Sequence, residues 1–252
     1  LSAGFVLYFL SKKAEYKVRL LYKEEIRTCG KDAKNIVSLG TAGFVMQLTN
    51  SLVSICCNNV LSATGGDVYV SVMTIISSVR QMIETPIWSI SEGSSPVISY
   101  NYGAKRPKKV IEAWITMSVL ALIYSLIAWS VILFAPKFLI GIFSSDKSLM
   151  IDTVPAMKLY FSAFIFMLFQ YTGQTMFKSL NKKKQAIFFS ILRKVIIVVP
   201  MTYMFPYVFH MGSNGVFMAE PVSNVIGGSL CFIVMLLTVL PELKQMNSDL
   251  SS

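Results

Sequence analysis

The chain has 252 residues, of which 54% are apolar and only 14% charged, against about a quarter charged in an ordinary soluble domain. Its mean hydropathy of +0.60 comes from recurrent apolar runs of roughly 20 residues, the length a helix needs to cross a bilayer, which excludes a soluble enzyme. The net charge of +10 sits in short Lys and Arg clusters between those runs, as in membrane-flanking loops, so no nucleic-acid partner is expected.

In chain order, residues 1–10 are apolar but too short to span, and Lys12 and Lys13 follow at once. A secretory signal carries its positive charge before the apolar run, so residues 1–11 read as the end of a truncated transmembrane helix and the chain as a fragment. Residues 12–36 read as a cytoplasmic linker. Within it Val18, Leu21, Tyr22 and Ile26 recur three or four apart, which suits a helix lying on the membrane surface. Six apolar blocks follow, at 37–60, 68–99, 111–134, 154–177, 186–209 and 215–240. The second carries Pro86 and Pro96 and is long enough to kink or end in a turn. The expected fold is all-α: a polytopic bundle of six spans over 37–240, preceded by the end of another span, with a cytoplasmic tail at 241–252. Open sheets cannot sit in lipid, because backbone groups there must be paired.

Loop charge alternates. Lys12 to Lys34, Lys105 to Lys109, and Lys178 to Lys184 with Arg193 and Lys194 close behind are basic, whereas 63–66 and 210–214 hold no Lys or Arg. The basic loops and both termini are therefore expected on the cytoplasmic side of the plasma membrane, in contact with membrane lipids. The cysteines Cys29, Cys56, Cys57 and Cys231 show no CxxC spacing, and His210 is the one histidine. Neither a disulfide framework nor a metal site is expected.

Polar residues inside apolar blocks are costly, so their placement points to function. Gln47, Asn50, Ser54 and Asn58 share a helical face in the first block. In the second, Ser77, Gln81, Glu84 and Trp88 share one, with Glu92 nearby, and Arg80 stands four residues before Glu84, able to pair with it. Gln170, Tyr171 and Gln174 form a patch in the fourth; Glu220, Ser223, Asn224, Gly227 and Gly228 form a stripe in the sixth. Each patch either lines a pathway or bonds neighbouring helices. No Ser-His-Asp set, HExxH, Walker A or GxGxxG pattern occurs. The chain is therefore not expected to be an enzyme, needs no cofactor, and any transport would draw on an ion gradient.

The string SPVISYNYGAK, from Ser95 to Lys105, resembles the strong motif of the multidrug and toxic compound extrusion (MATE) family, prokaryotic branch. Gly65-Gly66-Asp67 with Ser77, Arg80 and Pro86, and Ile191-Leu192-Arg193 with Pro200, Gly212, Gly215, Val216, Glu220, Pro221 and Ser223, agree with it. The resemblance implies twelve spans in two lobes set in a V, this chain being the carboxy-terminal lobe. It also implies a missing amino-terminal lobe and alternating-access export of small amphipathic or cationic substrates in exchange for protons or sodium. Some members place a glutamate in the seventh helix and an aspartate in the tenth; here those regions offer Gln47, and Gln170, Tyr171 and Gln174. On this reading Gln47, Asn50, Gln81, Gln170, Tyr171 and Gln174 line the substrate pathway, and Glu84, Glu92 and Glu220 are the candidate cation or proton sites. Two alternatives stand beside it. A lipid-linked oligosaccharide flippase of the same superfamily would want a strongly cationic cavity, for which arginines inside the blocks look scarce. A non-transporting membrane scaffold would use the polar stripes for packing.

Overall fold

The computed structural model describes Tyr8 and residues 30–249. The expected truncated span at 1–11, apart from Tyr8, and the surface stripe Val18 to Ile26 lie outside the described residues. The chain divides into a unit over Leu1–Phe44 and a second over Val45–Ser252. Of the first, the described part from Gly30 is helical backbone, so the end of the expected linker is helical. All the packing described below belongs to the second.

Every element among the described residues is helical. Helix α1 runs over Gly30–Gly103 and is interrupted at Gly66, where φ is 70° and ψ is −169°. A side chain is strained at that φ, and the break separates the first two apolar blocks. Val53, Cys57 and Val60 before it, and Ile76, Val79 and Ile83 after it, enter one buried cluster. The second limb passes through Pro86 and Pro96 without stopping. Helix α2 (Pro107–Phe134) starts on a proline, which suits a first turn whose N–H has no partner. It exposes Ile115, Val119, Ile123 and Ile127 while burying Met117, Ala121 and Ser125, a division expected of a helix with one face in lipid.

Residues 136–152 were expected to be a loop. They instead contain helix α3 (Pro136–Phe143) and the start of α4 (Lys147–Tyr160), capped by Asp146, whose side chain accepts from the Ser148 amide at 2.8 Å. Helix α5 (Phe164–Ser179) continues α4 after a 51° bend, the geometry of a broken span or a re-entrant loop. Trp129 of α2 donates from Nε1 to the Phe161 carbonyl at 2.9 Å, satisfying one of the groups the break leaves open.

The last two spans carry a second irregularity. Helix α6 (Lys183–Ile191) passes into a π-helix, π1 (Leu192–Val198), and then into α7 (Val199–Tyr207). Helix α8 (Ser213–Ser223) passes into π2 (Asn224–Gly228) and then into α9 (Ser229–Asp249), which runs on into the expected tail. Pro200 and Pro221 lie close to these windings. Proline withdraws a donor from the α ladder, and local π windings are one way such a helix restores its bonding.

Among the described residues, four helical segments are long and apolar enough to cross a membrane, five if the bent pair is one span; the first, Gln47–Gly103, contains the Gly66 break. The broken first segment and the bent pair together accommodate the six expected blocks. Two apolar clusters hold the second unit together. One gathers Leu61, Ile76, Ile132, Phe161 and Phe217; the other gathers Ile98, Val110, Phe177, Phe189 and Val239. Association in lipid depends on close packing of backbones rather than on a hydrophobic drive. Gly228 meets this need: a Cβ there would lie 2.5 Å from the Phe166 carbonyl oxygen.

Candidate functional site

Polar residues interrupt the apolar clusters on each inner helix. Along α1, Arg80 and Glu84 interleave with Val79, Ile83 and Ile87 of the first cluster, ahead of Ile98 of the second; along α5, Gln170 and Gln174 fall between Leu168 and Met176. Arg193 and Lys194 fall between Phe189 and Val198, and Glu220 and Asn224 between Phe217 and Cys231. The polar residues thus meet at mid-height in the bundle.

Their contacts form one network. Arg80 donates from Nε to Glu84 Oε1 at 2.5 Å and from an Nη to the Tyr160 hydroxyl at 2.9 Å. Tyr171 donates to Glu84 Oε2 at 3.2 Å, so both Glu84 oxygens are engaged. Glu220 Oε1 accepts from Arg193 at 3.1 Å and from Lys194 at 3.0 Å, and an Arg80 nitrogen stands 3.7 Å away. Arg193 also donates to Asn224 Oδ1 at 2.7 Å. A Cβ on Gly227 would lie 2.8 Å from Arg193 Cγ, so glycine there gives the arginine stem its room. The π windings supply Arg193, Lys194 and Asn224, in keeping with the frequency of such windings at functional sites.

Two cavities of about 120 Å³ each adjoin the network and share Asn50, Arg80 and Lys194. The first also touches Ser54, Cys57, Ser77 and Glu220; the second touches Glu84, Gln170, Tyr171 and Gln174. Gln174 donates to Ser190 at 2.7 Å. Gln170 makes a long bond to the Phe189 carbonyl, 3.4 Å, and its buried Oε1 has no protein partner.

Of the pathway residues expected from sequence, Asn50, Gln170, Tyr171 and Gln174 come together on these cavities. Gln47 and Gln81 are exposed and line neither. Among the expected cation or proton sites, Glu84 and Glu220 join the network. Glu92 stands apart, exposed and bound to Lys178 at 2.9 Å. Sequence reasoning missed the roles of Arg193, Lys194 and Tyr160. Arg193 and Lys194, grouped there with the basic loop after Lys184, are instead buried at 5% and 7% exposure. Among the described residues, no three His, Cys, Asp or Glu side chains form a metal-binding group. Three cations thus surround two carboxylates.

The MatE family model matches residues 43–204, well over half of the chain. The chain belongs to the MatE family. Comparisons with solved structures find the same fold. An outward-facing multidrug resistance MATE transporter of the MOP superfamily aligns with a TM-score of 0.82 at 18% identity, covering 98% of this chain and 54% of that one. An inward-facing one aligns with a TM-score of 0.75 at 19% identity, covering 98% and 56%. A MOP superfamily transporter from Pyrococcus furiosus, described as having a binding pocket of reverse polarity that suggests a different function, aligns at 0.83 and 19% identity, covering 98% and 54%. This MatE chain therefore spans about half the length of those structures and has the fold of one transporter lobe. No curated protein matches it.

Proposed function

We propose that the complete protein is a secondary active antiporter that exports drugs or organic cations by alternating access, in exchange for protons or sodium. The mid-height cavities form this lobe's share of the pathway, and the end bearing Lys105 and Lys182 faces the cytoplasm, as loop charge favours. The supporting observation is the polar hollow itself. A purely packed scaffold pairs its buried polar groups. Here Gln170 Oε1 has no protein partner, and each cavity, at about 120 Å³, has room for several waters at about 30 Å³ apiece. Both carboxylates of the network already face basic groups, so we place the coupling ion's acid in the remaining, amino-terminal lobe.

The lipid-linked oligosaccharide flippase reading also gains support. Arginines were scarce on paper, yet Arg80, Arg193 and Lys194 converge, and the Pyrococcus furiosus structure suggests that pocket polarity varies among proteins of this fold. Proteoliposomes holding the complete protein separate the readings. Under imposed proton or sodium gradients, with ionophore controls, the antiporter reading predicts gradient-driven movement of a cationic dye such as ethidium. It also predicts that Gln170→Ala and Asn50→Ala slow movement in protein that still folds. Transbilayer movement of a fluorescent polyprenyl-diphosphate sugar with no dye movement supports the flippase. A scaffold moves neither.

A further inference from the structure

The charge count of the network has a consequence for what the cavities hold. Arg80, Arg193 and Lys194 meet only Glu84 and Glu220 among the described residues, leaving one positive charge in excess. Arg193, Lys194 and Glu220 have side chains no more than 9% exposed. A charge without a counter-charge in such a place costs several kcal/mol, so the site is incomplete as it stands.

We propose that the shared wall of the two cavities is a subsite for an anionic group of the transported molecule, a carboxylate, sulfonate or phosphate, held between Arg80 and Lys194. The proposal rests on the transport reading and adds a substrate feature to it. Arg80 and Lys194 are the two cations that border both cavities. Lys194 uses one of three ammonium donors on Glu220. Arg80 carries five donors in a planar fork matched to carboxylate and phosphate oxygens, and its bonds to Glu84 and Tyr160 use two. Asn50, also common to both cavities, adds an amide. Each cavity accommodates an acid group but not a whole amphipathic molecule, whose bulk would then extend outward. Gln170 also lines the second cavity, and its buried Oε1 has no protein partner. A cationic group placed in the subsite would meet Arg80 and Lys194 at close range, so an organic cation that carries an acidic group of its own, a zwitterion, is favoured over one that does not.

The test uses the complete protein and two matched probes: a rhodamine dye with a free benzoate and the methyl ester of the same dye. Binding is read by fluorescence polarisation in nanodiscs. The benzoate dye binds the wild-type protein about ten-fold or more tighter than the ester, in line with a charge-assisted hydrogen bond, and the preference fades with added salt. Lys194→Gln abolishes the preference by weakening the benzoate dye more than the ester. The wild-type comparison holds even where the variant does not fold. Equal binding of the two dyes, tighter binding of the ester, or equal weakening of both in Lys194→Gln overturns the subsite; an acid supplied by another part of the protein gives the first of these. The same dyes in gradient-loaded proteoliposomes keep the two readings apart. Preference for the benzoate dye without movement of either dye supports the anion subsite and sinks the transport reading. Movement of the ester without any benzoate preference does the reverse.

Discussion

Replacing Glu220 by Gln removes the charge that gathers the network while keeping shape. The carboxylate lies 3.0 Å from Lys194, 3.1 Å from Arg193 and 3.7 Å from Arg80, with 6% of its side chain exposed. At an effective dielectric of about 20, each contact carries roughly 5 kcal/mol of Coulomb attraction. Much of that is offset by the desolvation of the charged groups, and breaking a buried pair of this kind costs about 3–5 kcal/mol net. At about 2–4 °C per kcal/mol for a unit of this size, the melting temperature of Glu220→Gln should fall by about 6–20 °C. Thermal unfolding of the purified complete protein, followed by exposure of its buried cysteines to a thiol-reactive dye, measures this. The double variant Glu220→Gln, Lys194→Gln restores the wild-type excess of one positive charge and should recover at least half of the loss, as coupled neighbours do. A single variant as stable as the wild type, or a double variant less stable than the single, refutes the reasoning.

Other outcomes follow from individual contacts. Gly228→Ala drives a methyl toward the Phe166 carbonyl oxygen, 2.5 Å away, and should cost about 1–3 kcal/mol by overpacking. Gly141→Ala, which meets nothing within 4 Å, should be neutral or stabilising by up to about 1 kcal/mol; melting curves of the pair check both. Gln174→Ala strands the buried Ser190 hydroxyl and should cost about 1–3 kcal/mol, most of it recovered in Gln174→Ala, Ser190→Ala. At the start of α4, hydrogen bonds from the Ser148 hydroxyl and amide hold the Asp146 carboxyl below its ordinary value. Because the folded value is the lower one, this cap contributes above the unfolded aspartate value and is lost as pH falls through the folded value. Acid titration of the Ser148 amide by NMR should show that loss, and Asp146→Asn, which keeps an acceptor, should flatten it.

Much of the bundle was legible because hydrocarbon demands long apolar runs: the second, third and fifth blocks reappear within about four residues of the helices found, the first and sixth lie inside longer helices, and the Arg80–Glu84 pair follows from a four-residue spacing. The fourth block was placed too late. Lys147 and Asp152 look like loop residues, and the 51° bend after Tyr160 has no proline or glycine at the break to announce it. The candidate site was half legible. Gln170 and Gln174 share a helical face and were found by periodicity. Arg193 and Lys194 were not, because Lys182 to Lys184 precede them closely and they were counted with that loop's charge although they fall inside the fifth block. Counting the rise from Lys183, where α6 begins, puts Arg193 roughly 15 Å into the helix. An acid such as Glu220 in a later block, with no cation on its own face, was the signal that a partner had to come from elsewhere. The π windings left no pattern that a search for 3.6-residue periodicity detects.

The central claim is that the mid-height hollow is a wet part of a substrate pathway, and Asn50, which borders both cavities, reports on it most directly. In the complete protein, with its other cysteines replaced, Asn50→Cys should react with a membrane-impermeant thiol reagent, and a saturating transported dye should slow that reaction several-fold. A thiol that never reacts, or one whose rate ignores the dye, contradicts the account.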